Sequence, residues 1–338
     1  MKNSKELYDF MTAPSPRLIS SLEGFNEDLM IIGAGGKVGP SLCLKAKRAF
    51  EKIGCKKNIY AVSVAFDSES RLQLEAAGII VIVGDIADSD FLAKLPQVKH
   101  IIYMVGRKFG TTGDSALTFF INAILPAKVC ERFPNSSFVV FSTGNVYGLA
   151  PISTGGFSED DQLSSIGEYA QSCLARERVF EYYSAKNNCP VLLFRLNYAI
   201  DMRYGVLHDI AKAVYEGRSI DLSQGVFNCI WQGDVCEYAL MSLFHTQSPV
   251  AKLNVTGPES ISIRWAAEEF GKRFNKTPIL IGQESSSAIF SKTAKLNKLM
   301  GYPQVSLGEM LDMTAQWIEN SGECIDAPTH FETLDGKY

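Results

Sequence analysis

Short, almost wholly apolar runs recur along the first part of the chain, separated by longer segments with helical spacing of apolar residues. The runs do not alternate polar and apolar residues, which is typical of strands covered on both faces. This repeated order of strand and helix predicts an α/β fold built on a doubly wound parallel sheet. The predicted strands lie in DLMIIGAGG (28–36), NIYAVSVAF (58–66), GIIVIVGD (78–85), HIIYMVG (100–106), SFVVFSTG (137–144) and CPVLLFRLN (189–197).

The segments between these runs predict helices, over 40–54, 117–133 and 167–187. In the first of them, Pro40 suits the opening turn and Gly54 suits the end of the helix. Beyond about residue 198 the pattern loosens into shorter apolar pieces between helices. This predicts a smaller C-terminal α/β domain that returns some segments to the main sheet. Residues 1–28 predict a short helical extension ahead of the first strand.

One glycine-rich loop, GAGGKVG, joins the first predicted strand to the first predicted helix, with glycines at 33, 36 and 39. In this context the first glycine permits a tight turn, the second lets backbone amides approach a pyrophosphate, and the third lets helix pack on strand. The helix N-terminus favours the phosphate charge. We therefore expect residues 1–197 to form an NAD(P)-binding Rossmann domain and residues 198–338 to form mainly the substrate-binding domain.

The choice between NAD and NADP depends on the residues that follow the second strand. Asp67 lies later than the usual position, about 20 residues after the loop, of an acidic residue that binds the ribose hydroxyls. No arginine ends that strand to hold a 2′-phosphate, although Lys37 in the loop offers a cation. These features favour NAD and leave NADP open. Asp85 and Ile86 fit the edge of an adenine pocket, and Asp85 fits an exposed turn nearly as well.

Composition narrows the classes of function. The 338 residues carry a net charge of -4 and are 46% hydrophobic, which is ordinary for a globular protein. Nucleic-acid binding would need a clustered excess of Lys and Arg, and the apolar runs are too short to span a bilayer. The eight cysteines form no CxxC pair and no metal-ligand spacing. We therefore expect a cytoplasmic protein with neither a metal site nor a disulfide framework.

The motifs together resemble the extended short-chain dehydrogenase/reductase superfamily, in particular the NAD-dependent epimerase/dehydratase family. The resemblance covers residues from about 29 to 320, and its motifs are specific for the superfamily without fixing a substrate. They are GAGGKVG (33–39), GD (84–85), Asn122, FSTGNVYG (141–148), Tyr169, FRLN (194–197), QGDV (232–235) and LNVTGPESISI (253–263). The resemblance implies an enzyme that oxidises or reduces a carbinol carbon with a nicotinamide cofactor.

The resemblance also implies roles around the reacting carbon. Tyr169 takes the position of the tyrosine whose anion accepts the hydroxyl proton, and Thr143 that of the residue holding the substrate oxygen. A helix tyrosine that only packs its ring, and a hydroxyl that only caps a turn, are the structural alternatives. The family's lysine, four residues after the tyrosine, lowers the pKa of that tyrosine. It is needed because a phenol with a pKa of about 10 is a poor base at neutral pH.

Cys173 occupies the position of this lysine. A thiol supplies no positive charge, and a thiolate would oppose formation of tyrosinate. The candidate replacements are Arg107 and Lys108, which follow the fourth strand at the sheet edge where this fold binds ligands. An anionic substrate group or an exposed basic loop would explain them equally well. For Cys173 itself, a small packing residue is favoured over a nucleophile.

Two further departures bear on the substrate. Gly144 and Asn145 stand where sugar dehydratases of the family carry an Asp-Glu pair, so we do not expect that form of dehydration. Phe227 stands where nucleotide-sugar enzymes carry an arginine that meets the diphosphate, whereas Asn197 matches an asparagine beside it. These features favour a smaller carbohydrate-like substrate, such as a sugar acid. The candidate substrate contacts are Arg107, Lys108, Asn145, Asn197 and Phe227, although aromatic residues in this region also suit a core.

Two classes of function remain open from the sequence. An NAD(P)-dependent oxidoreductase or epimerase of a carbohydrate-like substrate is favoured, because Thr143 and Tyr169 are both present. A catalytically silent dinucleotide-binding sensor or partner protein is the alternative, and Cys173 is its main support. The resemblance also implies a homodimer formed through the helices over 117–133 and 167–187. The candidate cofactor residues are Gly33, Gly36, Lys37, Val38, Gly39, Asp67, Asp85, Ile86, Val105, Asn122 and Tyr169.

Overall fold

The structure is a computed structural model, and it describes residues 3–108, 110, 113–325, 329–333 and 335–336. Its strands are β1 Leu29–Ile32, β2 Ile59–Ser63, β3 Ile80–Val83, β4 His100–Tyr103, β5 Ser137–Thr143, β6 Ala150–Pro151, β7 Val191–Leu196, β8 Ala199–Ile200, β9 Ser219–Asp221, β10 Val226–Phe227, β11 Ile230–Trp231, β12 Ala251–Val255, β13 Ile261–Ser262, β14 Ile279–Ile281 and β15 Ser287–Ala288. Its α-helices are α1 Ser4–Thr12, α2 Pro16–Ser21, α3 Gly39–Lys52, α4 Ser68–Ala76, α5 Ser89–Lys94, α6 Ser115–Phe119, α7 Leu125–Arg132, α8 Gly167–Asn187, α9 Val206–Glu216, α10 Gln232–Met241, α11 Ile263–Phe274, α12 Ala294–Met300 and α13 Leu307–Glu319.

Seven strands form one parallel sheet in the order β12-β7-β5-β4-β1-β2-β3. The chain starts at β1, builds outward to β3, and then crosses back to β4 on the other side of β1. The carboxyl ends of β1 and β4 therefore border the crevice where an open sheet of this kind binds ligands. This arrangement confirms the predicted doubly wound α/β fold.

The predicted first helix shows why the local sequence folds as it does. Helix α3 carries Pro40 in its first turn, where the missing amide hydrogen costs nothing. Its last helical residue is Lys52, and Gly54 follows with a φ of 70°. A left-handed residue just past a helix end lets the chain turn back, and glycine adopts that conformation without strain.

The helix predicted over 117–133 is interrupted by a π-helical segment, Phe120–Ile124. Pro126 lies in the first turn of α7 and has no amide hydrogen to donate to the carbonyl of Asn122, four residues earlier. That carbonyl accepts a hydrogen bond of 3.3 Å from Nε of Arg176 on α8 instead. The irregular turn therefore creates an acceptor that joins two helices. Such π-turns occur frequently at functional sites.

The N-terminal extension packs against both halves of the chain. Leu18 and Leu22 lie in the apolar core under α3, whereas Leu7 and Met11 lie in a second core built from the C-terminal segments. The buried carboxylate of Glu237 on α10 collects polar groups from this region. Ser15 and Arg17 both donate to it, and the ammonium of Lys45 lies 3.8 Å away. The extension thus bridges the predicted domains.

The C-terminal segments divide between the sheet and a second layer of structure. Strand β12 pairs with β7 in the main sheet, and the pairs β10–β13, β8–β11, β9–β14 and β6–β15 are separate two-stranded units. The division between 1–197 and 198–338 stays a prediction. Among the described residues, no helix combines the length and the apolar character that crossing a membrane requires.

A buried ion pair fixes α8 to the sheet. Glu177 accepts two hydrogen bonds, of 2.9 and 2.7 Å, from the guanidinium of Arg195 on β7. Neither side chain of this pair is exposed. Ser142 on β5 donates to the same carboxylate at 2.6 Å. Glu177 lies eight residues after Tyr169 on α8, so the pair also sets where Tyr169 stands relative to β5.

We predict that Glu177→Gln destabilises the fold by about 3–5 kcal/mol, because it leaves the Arg195 guanidinium buried without its counter-charge. Urea unfolding followed by circular dichroism measures this change. The matched control is Glu75→Gln, which breaks an exposed pair with Arg71 one turn away on α4. It should cost less than about 0.5 kcal/mol. Equal effects of the two substitutions would contradict an anchoring role for the buried pair.

Candidate active site

A cavity of about 360 Å³ opens at the carboxyl edge of β1, β2 and β4. Five predicted cofactor residues line it, namely Gly33, Gly36, Asp85, Ile86 and Val105. Apolar side chains from the α6 region, Leu117 and Phe120 among them, form its outer wall. The shape and the largely apolar lining suit one flat ring system and an attached sugar.

Glycine occupies each of the three motif positions in the loop for a different physical reason. Gly33 adopts a φ of 93°, and a Cβ there would lie 2.8 Å from the amide nitrogen of Val105. A Cβ at Gly39 would lie 2.1 Å from the carbonyl oxygen of Ala34, so this glycine lets α3 pack onto the loop. At Gly36 a Cβ would make only an ordinary contact, at 3.5 Å. The space beside Gly36 is therefore open toward a ligand, as the motif predicts.

Gly35 is a site residue that the spacing of the motif did not reveal. A Cβ at this position would lie 2.0 Å from the carbonyl oxygen of Ala65 and 2.7 Å from Oγ of Ser63. The loop therefore lies directly against the end of β2. The signal in the sequence was the extra glycine inside GAGGKVG, which the three-glycine pattern does not require.

The end of β2 carries serine where an acidic residue would favour NAD. Ser63 lines the cavity, whereas Asp67 does not. Asp67 instead caps α4, where its carboxylate accepts a hydrogen bond of 2.8 Å from the amide of Ser70. It lines a different cavity, beside Gly36 and Lys37. The contact predicted between Asp67 and the ribose stays a prediction.

Lys37 and Val38 complete the loop. The Lys37 ammonium lies 3.2 Å from the centre of the Tyr204 ring, in the C-terminal half of the chain. Burial lowers the pKa of Lys37 to about 8, against the attraction of Asp209 and Asp201. Val38 precedes α3, and none of the described side chains caps the first turn of this helix. An anion beside the loop would meet the uncapped helix end and an ammonium together.

Asn122 lies in the π-segment and is completely buried. Its Oδ1 accepts from the amide of Arg107 at 2.8 Å, and its Nδ2 donates to the carbonyl of Arg107 at 3.0 Å and to Oγ of Ser172 at 2.9 Å. The side chain therefore fixes the backbone that follows β4. Because that backbone borders the cavity at Val105 and Gly106, Asn122 acts on the cofactor site indirectly.

Thr143, Tyr169 and Cys173 come together at the carboxyl end of β5. The Tyr169 hydroxyl lies beside the side chains of Thr143 and Cys173. The Thr143 hydroxyl donates to Oδ1 of Asn145 at 2.9 Å. The Tyr169 ring packs with Cys173 against Val146. The fold therefore brings together the hydroxyl pair that the sequence predicted.

The surroundings of this pair raise the pKa of Tyr169, which opposes its use as a base at neutral pH. Burial raises the pKa of Tyr169 well above its ordinary value, and the adjacent Cys173 raises it further. Arg176 and the neighbouring Thr143 hydroxyl act in the opposite direction. Burial also raises the pKa of the Cys173 thiol, so Cys173 stays protonated at neutral pH. These contacts fit the interpretation of Cys173 as a packing residue.

Arg176 is a buried cation that the sequence analysis missed. It lies three residues after Cys173, on the same face of α8. Its Nη1 donates to the carbonyl of Phe141 at 2.8 Å and its Nη2 to Oδ1 of Asn122 at 2.7 Å. Nη2 also packs against Gly106, where a Cβ would lie 2.6 Å away. The only signal was an arginine inside a helix, which usually means a solvated face.

The two predicted replacements for the lysine have different positions. Arg107 forms an ion pair of 3.0 Å with Asp114 and donates to the carbonyl of Gly110, so its charge is directed toward the start of α6. Lys108 lies near both Cys173 and Lys37, and burial with the neighbouring Lys37 lowers its pKa to about 8. Lys108 therefore faces the site, whereas Arg107 stabilises the loop beside it.

Gly144 and Asn197 limit what chemistry the site allows. A Cβ at Gly144 would lie 2.0 Å from Oδ1 of Asn197. Nδ2 of Asn197 donates to Asn228 and Ser291, at 3.2 and 3.1 Å, so the amide is held in that place. An acidic side chain at 144 is therefore excluded by packing. Phe227 has no exposed surface and meets Tyr198 edge-on, which fits the core alternative better than a pocket wall.

Solved structures with the same fold cover nearly the whole chain. Pal from Bacillus thuringiensis has a TM-score of 0.71 and 18% identity, over 87% of this chain and 99% of that chain. UDP-glucuronic acid 4-epimerase from Bacillus cereus, crystallised with NAD, has a TM-score of 0.69 and 18% identity over the same shares. UDP-glucose 4-epimerase from Thermotoga maritima, crystallised with UDP-glucose, has a TM-score of 0.69 and 14% identity, again over 87% and 99%. No curated protein sequence matches the chain.

A family model identifies the family of the chain, which the fold alone does not. The model of the NAD-dependent epimerase/dehydratase family matches residues 29–215, which include the glycine loop, Thr143 and Tyr169. This confirms the predicted family and, with it, the prediction of an enzyme. The predicted cofactor, NAD, agrees with the name of the family. The chain belongs to the NAD-dependent epimerase/dehydratase family.

Proposed function

We propose that this enzyme uses NAD to oxidise a carbinol carbon of a carbohydrate-like substrate, as a net oxidoreductase or as an epimerase. The observation that carries the proposal is the position of the Tyr169 hydroxyl beside Thr143 at the carboxyl end of β5. Two hydroxyls placed together at this edge suit one carbinol: Thr143 holds its oxygen and Tyr169 exchanges its proton. A chain that only bound a dinucleotide would not need this pair.

The cavity at β1, β2 and β4 would hold the adenosine half of NAD. Gly36 leaves room for the pyrophosphate, and the uncapped start of α3 faces it. Ser63, Asp85 and Ile86 would surround the ribose and the adenine. When bound, NAD supplies a hydride acceptor and the positive charge of its nicotinamide ring. The serine at 63 keeps NADP open as an alternative, because it lacks the negative charge that repels a 2′-phosphate.

Arg176 would supply part of the charge that the missing lysine normally provides. Its guanidinium lowers the pKa of Tyr169 through the low-dielectric interior, whereas Cys173 raises it. The fixed geometry makes this charge permanent, because an arginine does not lose its proton at physiological pH. The effect on Tyr169 is weaker than direct contact would give. We therefore expect a base that works best above neutral pH.

Lys108 would bind the substrate rather than assist the base. The charge of Lys37 contributes to lowering the pKa of Lys108, and burial is the main cause of a pKa of about 8 at both groups. An anion placed between two partly buried ammonium groups would stabilise both charges. This supports a substrate with a carboxylate, such as a sugar acid, or with a phosphate. The similar structures carry UDP-glucose and UDP-glucuronic acid, which have such groups.

Dehydration of the type that uses an Asp-Glu pair does not belong to the proposal. The amide of Asn197 fills the space beside Gly144, and Oδ1 of Asn145 accepts a hydrogen bond from Thr143. Proton and hydride transfer at one carbon is the chemistry that the remaining groups support. A cytoplasmic location fits such a reaction, since NAD and sugar metabolites are there, and it stays a prediction.

We also propose a homodimer through α8 and the helical segment before it. Ile124 on the π-segment is 51% exposed and Tyr182 on α8 is 59% exposed. The helices that carry them pack side by side. Two such pairs would form a four-helix bundle whose apolar surface is buried by the partner copy.

Tyr169→Phe should abolish turnover and leave NADH affinity unchanged within about twofold, because it removes only the hydroxyl that moves the proton. Turnover is measured with UDP-glucose, UDP-glucuronic acid and free sugar acids, by NADH absorbance and by product analysis for epimers. Affinity is measured from nicotinamide fluorescence with NADH and NADPH. A fully active Tyr169→Phe enzyme would remove the proposal. Binding of cofactor without turnover of any compound would favour the silent sensor.

Arg176→Met should raise the pKa of Tyr169 and so lower kcat/KM at pH 8 by roughly tenfold, with the profile shifted toward higher pH. The profile is measured on the substrate that the panel identifies. Arg176→Lys is the control, since it keeps the charge and should recover part of the rate. A loss of activity without any displacement of the pH profile would mean that Arg176 only holds the fold together.

Ile124→Glu should convert the dimer into a monomer, because it places a charge in the apolar interface. Light scattering after gel filtration measures the mass in solution. Leu72→Glu is the matched control, since Leu72 is 67% exposed on α4, away from both interface helices. A wild-type monomer would contradict the homodimer directly.

A further inference from the structure

A cysteine–histidine pair lies in the C-terminal half of the chain, outside the cavity and the hydroxyl pair of the candidate active site. Sγ of Cys324 lies 3.1 Å from Nε2 of His208 on α9. Cys324 is exposed, whereas His208 is buried with 4% of its surface accessible. The pair opens into a cavity of about 490 Å³. Its charged lining residues include Lys212 and Arg218 as well as Asp209, Asp221 and Glu332.

The hydrogen bonds of His208 settle which nitrogen faces the thiol as a base. Its Nδ1 lies 2.8 Å from the carbonyl oxygen of Met202. A carbonyl only accepts, so Nδ1 carries the hydrogen and Nε2 presents its lone pair to Cys324. Burial lowers the pKa of His208, so the imidazole is neutral at physiological pH. A nucleophile, a base and a group that orients the base are thus in line.

The surroundings also favour a reactive sulfur. Nζ of Lys212 donates toward Sγ at 3.5 Å, so a cation stands ready for negative charge on the sulfur. The chain is held on both sides of Cys324. The carbonyl of Glu323 accepts from Trp317 at 2.8 Å, and the amide of Ile325 donates to Arg203 at 3.0 Å. The thiol therefore has a fixed position at the rim of the cavity.

We propose that Cys324 is a modification site that reacts with small, carboxylate-bearing disulfides. Sγ of Cys324 forms a bond to one disulfide sulfur as the thiol proton passes to Nε2 of His208. The original S–S bond breaks, and the departing thiolate takes the proton from the imidazolium. The products are one mixed disulfide and one free thiol, with no net oxidation. Lys212 would bind a carboxylate of the incoming molecule, and Arg218 would bind another by exchanging its ion pair with Glu216.

Oxidised glutathione is the probe, and mass spectrometry of the intact protein and its peptides locates the label. Cys324 should react at least about tenfold faster in the native protein than in urea, because the fold supplies the base. Cys55, which is partly exposed, is the internal control, and its labelling rate should not be higher in the native protein than in urea. A native rate equal to or below the denatured rate would overturn the proposal.

Two variants separate the parts of the claim. His208→Asn keeps a donor for Met202 and removes Nε2, so it should slow the labelling of Cys324 about tenfold at unchanged melting temperature. If that variant does not fold, Lys212→Met tests a second part of the site, the stabilisation of negative charge on Sγ of Cys324. A neutral disulfide, bis(2-hydroxyethyl) disulfide, should react more slowly than glutathione disulfide and be insensitive to Arg218→Met. Equal rates for both disulfides would contradict recognition of carboxylates, and an unchanged rate in His208→Asn would contradict the base.

Discussion

The buried guanidinium of Arg176 holds together the elements on which the catalytic geometry depends. It binds the carbonyl of Phe141 at β5, and both the carbonyl and the side chain of Asn122 in the π-segment. A buried charge is very costly unless its donors are satisfied. The π-turn and Pro126 provide one acceptor that a regular helix would have used internally. Local irregularity in one helix is therefore the condition for placing a cation under another.

This network gives a physical reason for cysteine at 173. An ammonium there would stand three residues from Arg176 and close to Lys108, in surroundings where like charges repel strongly. A neutral side chain at 173 removes that repulsion and packs beside Tyr169. The cost is a tyrosine whose pKa stays high. Under the proposed function, Cys173 and Arg176 together replace the usual lysine, with the positive charge moved one turn along α8.

The sequence predicted six strands of the sheet because each contains a run of apolar residues, although β3 lies at the sheet edge with Ile80 and Val83 exposed. Strand β12 (AKLNV) lacks such a run. The glycine loop was predicted because its spacing follows from sterics. The sequence predicted the Thr143–Tyr169 pair because both residues have fixed positions in the family motifs. Contacts that depend on the direction of a side chain were harder to predict. Asp67 has the right residue type, yet it caps α4. Arg176 resembles any charged residue of an exposed helix, and only the packing of α8 on β5 shows that it is buried.

The limits on the chemistry follow from space as much as from residue type. At 144 an acidic pair is excluded because the amide of Asn197 occupies the place of a Cβ, and Asn197 is itself held by Asn228 and Ser291. Exchanging Gly144 alone would therefore break a buried hydrogen-bonded cluster before it added an acid. The cluster therefore blocks an acidic side chain directly beside Thr143, which is the structural reason why the proposed function leaves out that type of elimination.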